Sequence, residues 1–298
     1  MPLNPRKTIE QAADRINELH MSAVRPACPS KRLPDRERII NVTVRLRNLM
    51  FPGFYDAPRP EDNPFFTAGE LQEISQILEE ECARAFAVKD CDSAEANAAK
   101  AVDGFLRELP EILEVLSTDV DALYNGDPAA DSPMDVIIAY PGLFAICVYR
   151  LAHSLYKHQV PMIPRIMTEY AHGLTGIDIN AGARIGRRFF IDHGTGVVIG
   201  ETAEIGNEVK LYQGVTLGAL STRKGQLLSG LKRHPTIGDR VTIYSNATIL
   251  GGETVIGDDC LIGANAFITQ SVPPGTKVMG RGNELASREE TKSDWENA

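Results

Sequence analysis

The sequence predicts an α+β chain. An N-terminal α-helical domain, residues 1–175, precedes a parallel β-helix of six-residue repeats, residues 176–275, and a polar C-terminal tail, residues 276–298. Three observations predict this. Apolar residues follow helical spacing from Ile9 to about Thr175, the period changes to six near Ile177, and the chain turns polar after about Pro274. A length of 298 residues leaves room for two unequal units.

The helical part is read first. Thr67-Ala68-Gly69-Glu70 has the pattern of a capping box, and Leu71, Ile74, Ile77 and Leu78 follow at helical spacing. Ala98, Val102, Phe105 and Leu106 continue it, and Ile112 to Tyr124 reads as another helix. Pro141 suits the first turn of a further helix carrying Leu143, Ile146, Tyr149, Arg150 and His153. The Pro-rich stretches Arg25 to Pro34 and Phe51 to Pro64 read as connectors.

In the second part, aliphatic residues recur every six positions. Ile179, Ile185 and Ile191 are followed, after a two-residue slip, by Ile199, Ile205, Leu211 and Leu217. The register resumes at Ile237, Ile243 and Ile249, slips by one, and continues through Ile256, Ile262 and Ile268. Neither a helix nor simple alternation explains that spacing, so each coil is expected to bury its aliphatic residues on the coil beneath. The frequent next-residue glycine (Gly186, Gly200, Gly206, Gly238, Gly257) suits a tight corner. Between Leu217 and Ile237 the pattern lapses, and a regular solenoid ejects such an insertion as a surface loop.

Composition excludes several classes. A formal net charge of -9 argues against nucleic acid or an anionic membrane as the main partner. No run approaches the roughly 20 apolar residues that cross a bilayer. The segment Met1 to Lys7 lacks the apolar core of a signal peptide, and both absences point to a cytoplasmic protein. The five cysteines (Cys28, Cys82, Cys91, Cys147, Cys260) form no C-x-x-C pair, so a zinc knuckle is not expected and reduced thiols are.

Two histidines, His193 and His234, lie in the repeat region. His193 sits in Asp192-His193-Gly194-Thr195-Gly196, just before the two-residue slip, and flanking glycines suggest a close ligand approach. Histidine suits proton removal near neutral pH because its ordinary pKa is about 6.5, and a carboxylate beside it fixes the tautomer. Asp192 is adjacent, and Asp178, fifteen residues earlier, falls about one coil below. From this pattern alone His193 fits a satisfied turn residue as well as a base. Arg233-His234-Pro235 closes the irregular loop. An arginine fork there matches a carboxylate, and equally suits a loop end that bonds carbonyls.

The order of several elements resembles the serine O-acetyltransferases, within the hexapeptide-repeat acyltransferase superfamily. They are Asp178-Ile179-Asn180, Ala183-Arg184-Ile185-Gly186, Asp192-His193-Gly194-Thr195-Gly196, Gly200-Glu201-Thr202-Ala203, Gln213 to Gly218 and Arg233-His234-Pro235. Upstream, Gly126-Asp127-Pro128-Ala129 is similar to the family's Asp-Pro-Ala element, and the match spans about Asp121 to Pro274. The resemblance implies a left-handed β-helix, a homotrimer or dimer of trimers, and active sites between subunits. It implies acetyl transfer from acetyl-CoA to the L-serine hydroxyl for cysteine biosynthesis, with no metal required. By resemblance, His193 is the general base, Asp178 orients it and His234 assists at the hydroxyl. Asp127 and Asp192 would hold the substrate ammonium and Arg233 its carboxylate. Gly218, Ala219, Ser245, Asn246 and Gly263 fall in stretches that line CoA, and Arg223, Lys224 and Lys232 suit either phosphates or solvent.

The chain departs from the family in places. Ala219 replaces a second glycine, Ile243-Tyr244-Ser245-Asn246-Ala247 replaces Ile-Gly-Ala-Gly-Ala, and Met279 to Asn283 replaces a Gly-x-Pro-Ala-Arg close. Many members end in an isoleucine that enters O-acetylserine sulfhydrylase, whereas Ala298 stands here and argues against that complex. An alternative keeps the fold and transfers acetyl to a sugar or another hydroxyl, but Asp127 and Arg233 suit a zwitterion better. A zinc carbonic anhydrase needs three histidine ligands, and a scaffold without catalysis would have no use for these polar residues.

Overall fold

The computed structural model describes residues 5–20, 32–221, 223 and 225–279. The expectations for Cys28, Lys224, Ala298 and most of the tail lie outside the described residues. Seven helices are present among those described: α1 (Pro5–His20), α2 (Arg36–Met50), α3 (Phe66–Phe86), α4 (Ala94–Gly126), α5 (Pro133–Ala139), α6 (Pro141–Lys157) and α7 (Ile163–Thr175). Among them no single helix is long and apolar enough to cross a membrane.

Local chemistry explains the helix ends. Asp35 caps α2, accepting the Glu37 and Arg38 amides at 2.9 and 3.2 Å. The capping box expected at Thr67–Glu70 is not formed, since α3 starts at Phe66 with no side-chain cap. Glu70 instead takes both arms of Arg45 at 2.5 and 2.8 Å, a charge-assisted pair that outcompetes a neutral amide. The reciprocal box occurs before α5, between Ser132 and Asp135. The two helices expected on either side of Leu109 are one, because Pro110 lies on the exposed face of α4. Water can reach the carbonyl its ring frees, while Phe105, Leu109, Ile112 and Leu116 keep the buried stripe unbroken. Pro141 opens α6 as expected.

The helices pass directly into short parallel strands. The first face of the coil stacks β1 (Asp178–Ile179), β4 (Val198–Ile199), β7 (Thr216–Gly218), β10 (Thr248–Leu250) and β13 (Phe267–Ile268). The second stacks β2 (Arg184–Ile185), β5 (Glu204–Ile205), β8 (Thr236–Ile237) and β11 (Val255–Ile256). The third stacks β3 (Phe190–Ile191), β6 (Lys210–Leu211), β9 (Thr242–Ile243), β12 (Leu261–Ile262) and β14 (Lys277–Val278). This is the left-handed parallel β-helix of hexapeptide repeats. Registers run aliphatic on aliphatic, as in Ile179–Ile199–Leu217–Ile249–Ile268 along the first face. Each such side chain is buried, worth about 1.5–3 kcal/mol apiece.

The corner between the second and third faces is clamped by a ladder. Asn207 Oδ1 accepts the Arg187 amide, Asp239 Oδ1 the Asn207 amide and Asp258 Oδ1 the Asp239 amide, at 2.7–2.9 Å. A Cβ on Gly206 would stand 2.3 Å from Asp239 Oδ1, so that rung requires glycine. Cys82, Cys147 and Cys260 are free and buried, while Cys91 is disulfide-bonded, a departure from the expected reduced set.

A buried ion pair joins helices to coil. Arg150 of α6 donates to both oxygens of Asp119 of α4 at 2.6 and 2.8 Å, and to the Gly186 carbonyl at 2.8 Å. Asp119 Oδ1 also accepts the Phe189 amide at 2.9 Å. Burial pushes the Asp119 carboxyl above its usual range, and the guanidinium opposes this. Arg150→Ala should therefore cost about 3–5 kcal/mol, because it strands a buried carboxylate and two coil carbonyls. Denaturant unfolding checks this, and a loss below about 1 kcal/mol would mean the pair does not anchor the coil.

Candidate active site

Apart from Asp127 at the end of α4 and Asp178 on β1, the polar residues singled out by sequence collect on two of the three corners. Between the third and first faces lie Asp192–Gly194, Tyr212–Gly214, Ser245–Asn246 and Gly263, one group per coil. Between the first and second faces lie Glu201 and Thr202, Gly218 and Ala219 where the long loop leaves, and Lys232 to Pro235 where it returns.

His193 stands on an insertion. The Asp192 amide donates to Leu211 O, just as the Tyr212 amide donates to Ile243 O one coil above. The Gly196 amide meets Gly176 O, and the Gly214 amide meets Thr195 O. Asp192 is thus equivalent to Tyr212, and Thr195 to Gln213, so His193 and Gly194 are the two surplus residues that caused the sequence slip. Both are left-handed, at φ 55° and 77°. A non-glycine residue pays roughly 1–2 kcal/mol for that conformation, and here it turns the imidazole outward, 69% exposed.

Carboxylates surround the imidazole. Asp192 Oδ2 lies 3.5 Å from His193 Nε2, and Asp192 Oδ1 accepts the His193 amide at 2.7 Å. Asp127, the residue ending α4, accepts the Tyr140 hydroxyl at 2.5 Å and the Ala129 amide at 2.8 Å. The Tyr140 hydrogen bond, the Ala129 amide and the nearby His193 hold the Asp127 carboxyl below the usual range. The same bond pushes the Tyr140 phenol up to about 12. Tyr212, half-buried beside Asp192 and Asp127, stacks on Tyr244 with ring centroids 5.2 Å apart.

Asp178 does not touch His193 in this chain. Its carboxylate lies 3.6 Å from Arg165 on α7, near Glu169 and His172. Two physical reasons account for this. Arg165 draws Asp178 toward α7, and the two surplus residues carry the imidazole away from the coil. Gly194 packs against Ile177 instead, where a Cβ would stand 2.4 Å from Ile177 Cδ1.

The second corner is cationic and closely bonded. Arg233 pairs with Glu201 and donates to Leu228 O at 3.3 Å. Lys232 Nζ donates to Thr202 O at 2.7 Å and lies 3.5 Å from Glu204, so it is not a free loop charge. His234 is buried, with Nδ1 against the amide and hydroxyl of Thr202. Burial, then Arg233, lower its pKa to about 4. The ring rests on Gly200, where a Cβ would stand 2.0 Å from His234 Cδ2. A cleft of about 1020 Å³ opens beside this corner, lined by Tyr156, Arg165, Asn180, Arg184, Glu201 and Thr202 among others.

The structure therefore brings Asp127, Asp192 and His193 together, and Arg233 with His234, but sets the two groups at opposite edges of the first face. Ser245, Asn246 and Gly263 share the His193 corner, while Gly218 and Ala219 share the His234 corner. Glu201, Thr202 and Tyr140 also stand at these corners, without a role legible in the sequence. The first two lay within a quoted motif, and Tyr140 carried no signal.

A serine acetyltransferase of Synechococcus elongatus, plasmid-encoded, is 43% identical over 260 residues, covering 83% of this chain and 81% of that one. The chain belongs to the serine acetyltransferase family. The serine acetyltransferase of Mycobacterium tuberculosis is 47% identical over 169 residues, 57% of this chain and 71% of its own. The family model "Bacterial transferase hexapeptide (six repeats)" matches residues 234–270. Among solved structures, serine acetyltransferase isoform 3 of Entamoeba histolytica, in complex with cysteine, superposes with a TM-score of 0.72 at 33% identity, covering 96% of both chains. The Neisseria gonorrhoeae serine acetyltransferase, in complex with serine, gives a TM-score of 0.55 at 27% identity over 80% of this chain and 95% of that one.

The depressed His234 pKa has a consequence for a serine acetyltransferase of this build. The unfolded chain takes up a proton near pH 6.5 that the folded chain refuses until about pH 4. Stability contributed by the neutral ring is thus fully present above pH 6.5 and is lost as pH falls toward 4. Melting temperatures measured from pH 7 to 4 should fall less steeply for His234→Gln than for wild type. Parallel curves would show that the ring titrates alike in both states.

Proposed function

We propose that the chain transfers the acetyl group of acetyl-CoA to the hydroxyl of L-serine, giving O-acetyl-L-serine, with His193 as general base. The observation that carries this reading is the extruded His193 turn, which presents an imidazole beside the Asp127 and Asp192 carboxylates. Membership of the serine acetyltransferase family supports the same chemistry.

In this reading the serine ammonium lies between Asp127 and Asp192, and its carboxylate faces Arg233. His193 takes the hydroxyl proton as the serine oxygen attacks the thioester carbonyl. The tetrahedral oxyanion then collapses, the C–S bond breaks, and the thiolate leaves with the proton held on the imidazolium. A thioester is already activated, so positioning, a base and oxyanion stabilisation suffice. Asp192 is the carboxylate beside the ring and takes the orienting role, while Asp178 stays paired with Arg165. Backbone groups around Gly218, Ala219, Ser245, Asn246 and Gly263 line the CoA groove. A zwitterionic acceptor uses both the acidic and the cationic corner, whereas a sugar would use neither.

Because those corners face apart on one chain, one site needs two copies. We read the enzyme as a cytoplasmic homotrimer, alone or paired into hexamers, with residues 1–175 serving assembly and supplying Asp127. The supporting points are the separation of the two half-sites and the intracellular supply of acetyl-CoA.

Thiol release from acetyl-CoA should occur with L-serine and not with a galactoside. His193→Ala should lower turnover about 10²–10⁴-fold with the assembly intact. Release only with a sugar would overturn the acceptor, and wild-type turnover in the variant would overturn the base.

A further inference from the structure

His234 is held by a single residue. The Thr202 amide donates to His234 Nδ1 at 3.0 Å, and Thr202 Oγ1 lies 2.9 Å from the same nitrogen. That Oγ1 also accepts the Arg233 amide at 2.9 Å and the His234 amide at 3.1 Å. A threonine hydroxyl has one proton and two lone pairs. Two amides occupy the lone pairs, so the proton is left for Nδ1. Nδ1 then receives both an N–H and an O–H, and a proton on it would meet two donor hydrogens. The single ring proton belongs on Nε2.

The surroundings act in the same direction. Lys232 and Arg233 precede the ring on its own segment, and burial and these two cations oppose protonation. Glu201, after β4, favours it, but that carboxylate is already taken by Arg233 and by the Tyr156 hydroxyl of α6 at 3.2 Å. Glu204 of β5 is likewise shared between Arg184 and Lys232. Beneath the ring, the bare Cα of Gly200 leaves no room for a side chain, since a Cβ would stand 2.2 Å from Nε2.

We propose that Thr202 is a positioning residue that fixes His234 as a neutral Nε2–H donor, leaving His193 as the one histidine able to accept the acceptor's proton. The role assigned to His234 rests on the acetyl-transfer reading, while the lock itself is a property of the folded chain. His234 then donates to an anion, the substrate carboxylate or the thioester oxyanion, and does not remove the hydroxyl proton. The proline that follows and the amide bonds to Thr202 Oγ1 keep the segment from turning the ring over.

Nitrogen NMR of ¹⁵N-histidine-labelled full-length protein tests the lock, with His234→Gln identifying the signal. The expected wild-type result is an unprotonated Nδ1 and a protonated Nε2, unchanged from pH 8 to 5. Thr202→Val should let the ring titrate within that range and add a second ionisation to the acid limb of the pH–rate profile. It should lower kcat/KM for serine about 10- to 100-fold, and Thr202→Ser should restore all three readouts. A wild-type ring protonated on Nδ1, or titrating between pH 5 and 8, would overturn the proposal. So would a Thr202→Val protein with an unaltered tautomer and pH profile. Should Thr202→Val fail to fold, the wild-type and Thr202→Ser spectra still decide. Wild-type protein that shows the Nε2–H ring yet fails to acetylate serine would count against the proposed function, not the lock.

Discussion

Every coil of the β-helix must return to the place where the coil below began. Parallel hydrogen bonds tie each two-residue strand to its neighbours, and an aliphatic side chain fills each level of the interior. A face that gained one residue would turn its buried side chain outward and lose the bonds on both sides. Surplus residues therefore leave at corners, where the backbone is already turning. The two-residue slip became the left-handed His193–Gly194 turn, and the long lapse became the loop that returns at Arg233 and His234. The proposed site lies where the repeat fails, on a scaffold that the repeat keeps rigid.

The helices supply what the coil lacks. The Arg150–Asp119 pair fixes α4 to the first coil through the Phe189 amide, and two chain segments then run on from that point. One is the last two turns of α4, ending at Asp127, roughly 12 Å farther along the helix. The other is β3, which leads directly into Asp192. The buried pair thus sets the separation of the carboxylates that flank His193. Its contribution is to position as much as to stabilise, since a buried ion pair gains little over an apolar substitute. Tyr140, placed by the turn between α5 and α6, completes the arrangement by bonding Asp127.

The sequence was legible wherever a constraint repeats. The six-residue period, its interruptions and the corner glycines follow from coil stacking, so the corners and the loop could be placed from spacing alone. Single choices between competing partners were not legible. Glu70 had an amide and an arginine within reach and took Arg45. Asp178 had His193 and Arg165 and took Arg165. The two helical stretches on either side of Pro110 are one helix, because the proline falls on the exposed face. Thr202 and Glu201 carried no periodic signal, because their roles depend on a segment some thirty residues later folding back over them. Spacing gives proximity along a solenoid, but the side-chain partner is decided by local electrostatics.

The two corners carry opposite charge at opposite edges of one face, and the proposed enzyme joins them by building one site from two copies of the chain. The most direct measurement co-expresses His193→Ala and Arg233→Ala subunits and assays acetyl transfer to serine. Each variant alone should be inactive, while random mixing in a trimer should restore about a quarter of wild-type activity by pairing an intact His193 corner with an intact Arg233 corner. Mixed assemblies as inactive as either parent would contradict the account and place both half-sites within a single subunit.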